Sequence, residues 1–121
     1  MANILIVEEE QMLRDLLSRM LNEHHLVLES DGVEGVERLN QQRFDIVISD
    51  VGMRTMDGPE MILAAGENVP AGVIMISGGD PGFTETREKI ASIMAVRTVI
   101  FIAKPFSIEE LEAHIATCLS R

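Results

Sequence analysis

Five short, β-rich apolar runs alternate with stretches of helical periodicity along this chain, and that alternation limits it to very few folds. The runs are Asn3 to Val7 (NILIV), Leu26 to Leu28, Phe44 to Ser49 (FDIVIS), Val73 to Ile76 and Val99 to Ala103 (VIFIA). The first has no polar alternation, as expected of a strand covered on both faces. After it, Met12, Leu13, Leu16, Leu17, Met20 and Leu21 form one apolar helical stripe. Asp31 and Glu34 are spaced as a capping box for a helix with Val33, Val36 and Leu39 on one face. Pro59 suits the first turn of a short helix that ends near Gly66. A glycine-rich loop from Gly78 to Gly82 leads into a helix carrying Ile90, Ile93 and Met94. Ser107 and Glu110 form a second capping box, for a helix with Ile108, Leu111, Ile115, Cys118 and Leu119 inward. Strict βα alternation predicts right-handed crossovers and a doubly wound α/β fold. The expectation is a five-stranded parallel sheet in order 2-1-3-4-5, with five helices on its two faces.

At 121 residues and 46% hydrophobic, the chain is expected to be one domain over residues 1–121. Its 20 acids against 10 bases give a net charge of −10, which repels phosphate backbones and argues against nucleic-acid binding. A cation site or a protein partner fits that charge better. Cys118 is the only cysteine, so neither an internal disulfide nor a cysteine metal cluster is expected. The start, MANILIVEEE, is unlike a signal peptide, and no apolar run approaches the ~20 residues of a membrane span. A soluble, cytoplasmic protein is expected.

An open parallel sheet binds its ligands beyond the carboxyl ends of its strands. The residues at those ends are Glu8 and Glu9 after the first strand, Asp50 after the third, Ser77 after the fourth and Lys104 after the fifth. Clustered carboxylates repel one another until a cation arrives, and all-oxygen ligation suits Mg2+. A carboxylate is also a nucleophile toward phosphorus, with a metal and Lys104 to neutralise charge. Ser77 and the backbone N–H groups of Gly52 and Gly78 can add hydrogen bonds.

With these residues in place the chain resembles the receiver domains of two-component response regulators, a flavodoxin-like (CheY-like) family. The likeness runs from ILIVEEE through FDIVISDVGMRTMDG and VIMISGG to FIAKPF. The most specific parts are Asp50 with Met56-Asp57-Gly58, and Lys104-Pro105-Phe106, whose Lys-Pro bond is usually cis in the family. The resemblance implies that Asp50 is phosphorylated from the phosphohistidine of a sensor histidine kinase or phosphotransfer protein. It implies Mg2+ on Glu9, Asp50 and the Gly52 carbonyl, with Glu8 acting through water. It also places Ser77 and Phe101 at switch positions that alter a face bound by an output protein. Such a domain is not an enzyme beyond its own phosphorylation and dephosphorylation. Two departures stand out: both acids of the first pair are Glu, and Arg54 stands where the family often has Pro. The stretch between Ser77 and Lys104 is also longer than usual, around Gly79 to Phe83.

Other readings compete. A pseudo-receiver would use the same fold as a phosphorylation-independent interaction module, its Glu8-Glu9 pair disabling the metal. A haloacid-dehalogenase phosphatase needs a second Asp where this chain has Gly52, and three glutamates after the first strand would repel a flavin phosphate. His24 and His25 are adjacent, so on a strand they point apart and are expected to be structural rather than metal ligands. Glu10 is expected to be a solvated helix start, His114 a surface residue and the methionines core filler.

Overall fold

A computed structural model describes residues 1–78, 84–95 and 97–120 of the chain. The strands are β1 (Asn3–Val7), β2 (His25–Glu29), β3 (Ile46–Asp50), β4 (Gly72–Ser77) and β5 (Ile100–Ala103). The helices are α1 (Gln11–Met20), α2 (Gly32–Gln41), α3 (Gly58–Ala65), α4 (Thr84–Met94) and α5 (Ile108–Leu119), with a short 3₁₀ turn at Gly66–Asn68. All strand pairs are parallel and the order is β2-β1-β3-β4-β5, as the alternation predicts. The expected loop around Gly79 to Phe83 lies outside the described residues.

Strand pleating sorts the core into two layers. Ile4, Ile6, Ile46, Ile48, Ile74, Ile76 and Ile102 pack with Leu17 of α1, Leu21 just beyond it, and Leu111, Ile115 and Cys118 of α5. Leu5, Val7, Val47, Val73 and Met75 point the other way, onto Leu39 of α2, Met61 and Ile62 of α3 and Ile93 of α4. Strands covered on both faces need no polar alternation, which explains the unbroken apolar run from Ile4 to Val7.

Helix starts follow the predicted chemistry. Asp31 accepts from the Glu34 N–H at 2.8 Å, and Ser107 accepts from the Glu110 N–H at 3.1 Å. Asp57, which had no assigned cap role, accepts from the Glu60 N–H at 2.7 Å. Gly66 ends α3 with φ of 54°, a conformation that favours glycine. The apolar stripes are wider than the faces the sheet covers. Met12, Leu16, Val33 and Met94, all on apolar helical patterns, and Leu119, expected inward, are exposed. A single-layer helix buries only the residues that point at the sheet, and the flanks of its stripe stay in water.

At the amino edge of the sheet, His24 is a structural clasp. The buried Ala2 N–H donates to its Nδ1 at 3.1 Å, and its Nε2 lies 3.3 Å from a Glu112 carboxylate oxygen on α5. Glu23, His24 and Glu112 bring potential ligand atoms together. With Nδ1 acting as acceptor, however, the neutral ring carries its proton on Nε2 and offers no lone pair there. The structural reading of His24 therefore stands. His24→Ala should orphan the Ala2 N–H and lower stability by about 1 kcal/mol, measurable by urea denaturation.

Candidate phosphoacceptor site

The strand ends bring the predicted residues to the carboxyl edge. Asp50 is the last residue of β3 and Ser77 the last of β4, while Glu8 follows β1 and Lys104 follows β5. Backbone bonds fix their levels: the Val51 N–H donates to Ile76 O and the Lys104 N–H to Ser77 O, both at 2.9 Å. The Gly58 N–H donates to Val51 O at 2.9 Å, drawing the start of α3 against the end of β3. A Cβ on Gly58 would run into the Asp50 carbonyl oxygen, so only glycine fits this approach. The following Lys104-Pro105 bond is cis, as the resemblance implies.

Lys104 Nζ lies 3.5 Å from Asp50 Oδ2. Burial pushes the Asp50 carboxyl above the ordinary aspartate range, and the charge of Lys104 pulls against that rise. Phe101 lies mid-β5 opposite Met75 and is partly exposed; Gly52 and Gly78 are open to solvent beside the site.

The two glutamates part company. Glu8 turns inward and is only 2% exposed. One of its oxygens accepts from the Glu10 N–H at 2.9 Å, and the other, Oε1, is buried with no hydrogen-bond partner among the described residues. Burial raises the Glu8 pKa, and the negative charge of Asp50 adds to the rise. Glu9 stays near the surface, where its Oε2 accepts from the Arg54 N–H at 3.2 Å and lies 3.5 Å from Arg54 Nε. Sequence reasoning expected the closer metal role for Glu9, yet it is Glu8 that lies buried beside Asp50.

Two further partners were missed. Arg14, on the first turns of α1, donates from one NH2 group to the carbonyls of Glu8 (2.7 Å) and Glu9 (3.1 Å), holding the acidic turn. Its position one to two turns after the acids was the available signal. Lys89 of α4 reaches Glu60 at 2.9 Å and Asp57 at 3.5 Å, tying α4 to the start of α3; nothing in the local sequence pairs residues so far apart.

A buried carboxylate oxygen with no hydrogen-bond partner among the described residues, on a group that the charge of the partly buried Asp50 repels, is an arrangement that a bound cation relieves. The donor set of Glu8, Glu9 and Asp50 is all oxygen, which fits Mg2+.

The sequence profile of the response regulator receiver domain matches residues 4–116. This chain belongs to the response regulator receiver family. Among curated relatives, the receiver is 32% identical to the response regulator ArlR of Staphylococcus epidermidis over 100% of its own length and 54% of that protein. It is 31% identical to the response regulator MprA of Mycobacterium leprae, over 98% of its own length and 51% of that protein. The chain thus spans about half the length of the curated relatives it matches. Among solved structures, the receiver domain of the hybrid histidine kinase CckA is 27% identical with a TM-score of 0.77, covering 97% of this chain and 98% of that one. A receiver domain protein from Clostridium thermocellum, at 19% identity, shares the fold with a TM-score of 0.82 over 100% of this chain and 96% of its own. Among the described residues of this receiver, no helix is long and apolar enough to cross a membrane.

Proposed function

We propose that Asp50 accepts a phosphoryl group from the phosphohistidine of a sensor histidine kinase or phosphotransfer protein in a Mg2+-dependent reaction. The modified domain then presents a changed face to an output protein. The observation that carries this reading is the convergence on one sheet edge of Asp50, its Lys104 partner at 3.5 Å and a buried Glu8 oxygen that has no hydrogen-bond partner among the described residues. An Asp50 carboxylate oxygen forms the new bond to phosphorus as the bond from phosphorus to the donor's imidazole nitrogen breaks, the electron pair remaining on that nitrogen. Lys104 holds the transferred group's oxygens by charge, and the Ser77 hydroxyl and the backbone N–H groups of Gly52 and Gly78 supply hydrogen bonds to them. Ser77 and Phe101 relay the change. Glu8, Glu9, Asp50 and the Gly52 carbonyl are the groups that would hold Mg2+, which when bound neutralises charge on the transferring group. Partners are proteins rather than nucleic acid, given the net charge of −10, and the setting is the cytoplasm.

One observation favours a second reading. The Glu9 carboxylate is already engaged by Arg54, as expected of a pseudo-receiver that no longer uses a metal. Incubation with acetyl phosphate, with and without Mg2+, followed by intact-mass measurement separates the two. The expected result is a single phosphoryl adduct that requires Mg2+. No adduct at saturating donor and Mg2+ would favour the pseudo-receiver.

A further inference from the structure

We infer that Arg54 sets the divalent-cation affinity of this receiver by competing with the cation for Glu9, an inference that rests on the metal-dependent reading above. Arg54 lies 45 positions from Glu9 in sequence, on the loop between β3 and α3, yet both its backbone N–H and its Nε are directed at one oxygen, Glu9 Oε2. The result is a divided acid pair, with Glu8 buried beside Asp50 and Glu9 drawn outward onto the loop. For Glu9 to ligate a cation at the site, its oxygen must leave the guanidinium. That exchange is easy, because the Arg54 side chain is 91% exposed and the Glu9 side chain 31%, so water screens the pair and little holds it. What remains is the charge itself. A guanidinium beside Glu9 repels an incoming dication as well as occupying its ligand, so both effects lower affinity. Arg14 does not share this role: it donates to the carbonyls of Glu8 and Glu9 and leaves their carboxylates alone. Arg54 therefore acts on the cation through Glu9, and it confines metal loading to higher cation concentrations than the three carboxylates alone would need.

The residue offers a clean dissection. Arg54→Ala removes the guanidinium and keeps the backbone N–H, while Arg54→Lys keeps the charge and loses the planar fork. With neither Trp nor Tyr in the chain, fluorescence is a poor probe, and Mn2+ paramagnetic resonance is the suitable measurement of binding on the unphosphorylated full chain. Arg54→Ala is expected to bind Mn2+ roughly three- to tenfold more tightly than wild type, the effect of removing one unit charge a few ångströms from a dication in a high dielectric. Arg54→Lys should stay near wild type. The gain should largely vanish at about 1 M salt, where screening is complete within a few ångströms, and should shrink in a Glu9→Gln background. Unchanged or weaker binding by Arg54→Ala overturns the inference, as does a gain of equal size with Glu9→Gln. An Asp50→Asn control separates the two levels. If Mn2+ binding depends on Asp50 but not on Arg54, only the role of Arg54 fails. If neither wild type nor Arg54→Ala binds Mn2+, the metal-dependent reading fails and takes this inference with it.

Discussion

Asp50→Asn is expected to abolish the phosphoryl adduct, cutting its rate of formation by more than about 10³-fold, as loss of a nucleophile does elsewhere. The amide lacks the charge and the available lone pair that make a carboxylate attack phosphorus. No neighbour can substitute. The Ser77 hydroxyl is neutral and a weak nucleophile at its ordinary pKa. Glu8 is buried to 2% exposure and walled off from a bulky donor. Lys104→Ala should behave differently. Its ammonium lies 3.5 Å from Asp50 Oδ2, placed to hold the transferred group's oxygens rather than to attack. That variant should still take up the phosphoryl group while its response at Ser77 and Phe101 weakens. Intact-mass measurement with acetyl phosphate and Mg2+ reads the first effect, and amide chemical shifts along β4 and β5 read the second. An adduct that persists in Asp50→Asn would place the acceptor at another residue.

The fold was legible because the central strands β1, β3 and β4 are buried on both faces. Past its exposed Asn3, a strand such as NILIV is buried on both sides and holds no polar residue, so its apolar run is hard to mistake, and β1 has the bounds predicted for it. The caps at Asp31 and Ser107 were legible for a related reason: a short oxygen-bearing side chain three residues before Glu is a local signal that needs no tertiary context. Helix faces were less legible. Periodicity shows where apolar residues cluster, but not how much of the cluster the sheet covers, and Met12 at 78% exposed shows the difference. The positions of Asp50 and Lys104 could be read because strand ends in a parallel sheet share one edge. The division between Glu8 and Glu9 could not. Two adjacent, identical side chains leave a turn in different directions. Which one turns inward depends on Arg14 gripping their carbonyls and on Arg54 reaching across from another loop, both of them contacts of the folded chain.

Glu8→Gln should make the cation-free protein more stable at neutral pH, by about 1–3 kcal/mol, the usual cost of burying an unsatisfied polar or charged group. In a domain of this size that corresponds to a rise in Tm of roughly 3–10 °C. The wild-type carboxylate is buried, one oxygen has no hydrogen-bond partner among the described residues, and Asp50 repels it. Glutamine keeps the shape and the acceptor for the Glu10 N–H, while its NH2 group can donate toward the Asp50 carboxylate. The pH dependence follows from the same burial. Glu8 and Asp50 both titrate above their ordinary values in the folded state, so the fold holds their protons more tightly than the unfolded chain does. Their contribution to stability is then fully present below the ordinary carboxylate range and is lost as pH rises through the raised values. The advantage of Glu8→Gln over wild type should accordingly be largest at neutral pH and shrink on acidification. Taking the difference between the two proteins cancels the general relief of repulsion in a chain of charge −10. Saturating Mg2+ should narrow the gap from the other side, because the cation stabilises wild type through the oxygen that the variant lacks. Urea denaturation of both proteins across pH, with and without Mg2+, makes the measurement. A Glu8→Gln protein no more stable than wild type at neutral pH, or an advantage that does not change with pH, would show that the buried carboxylate is not strained.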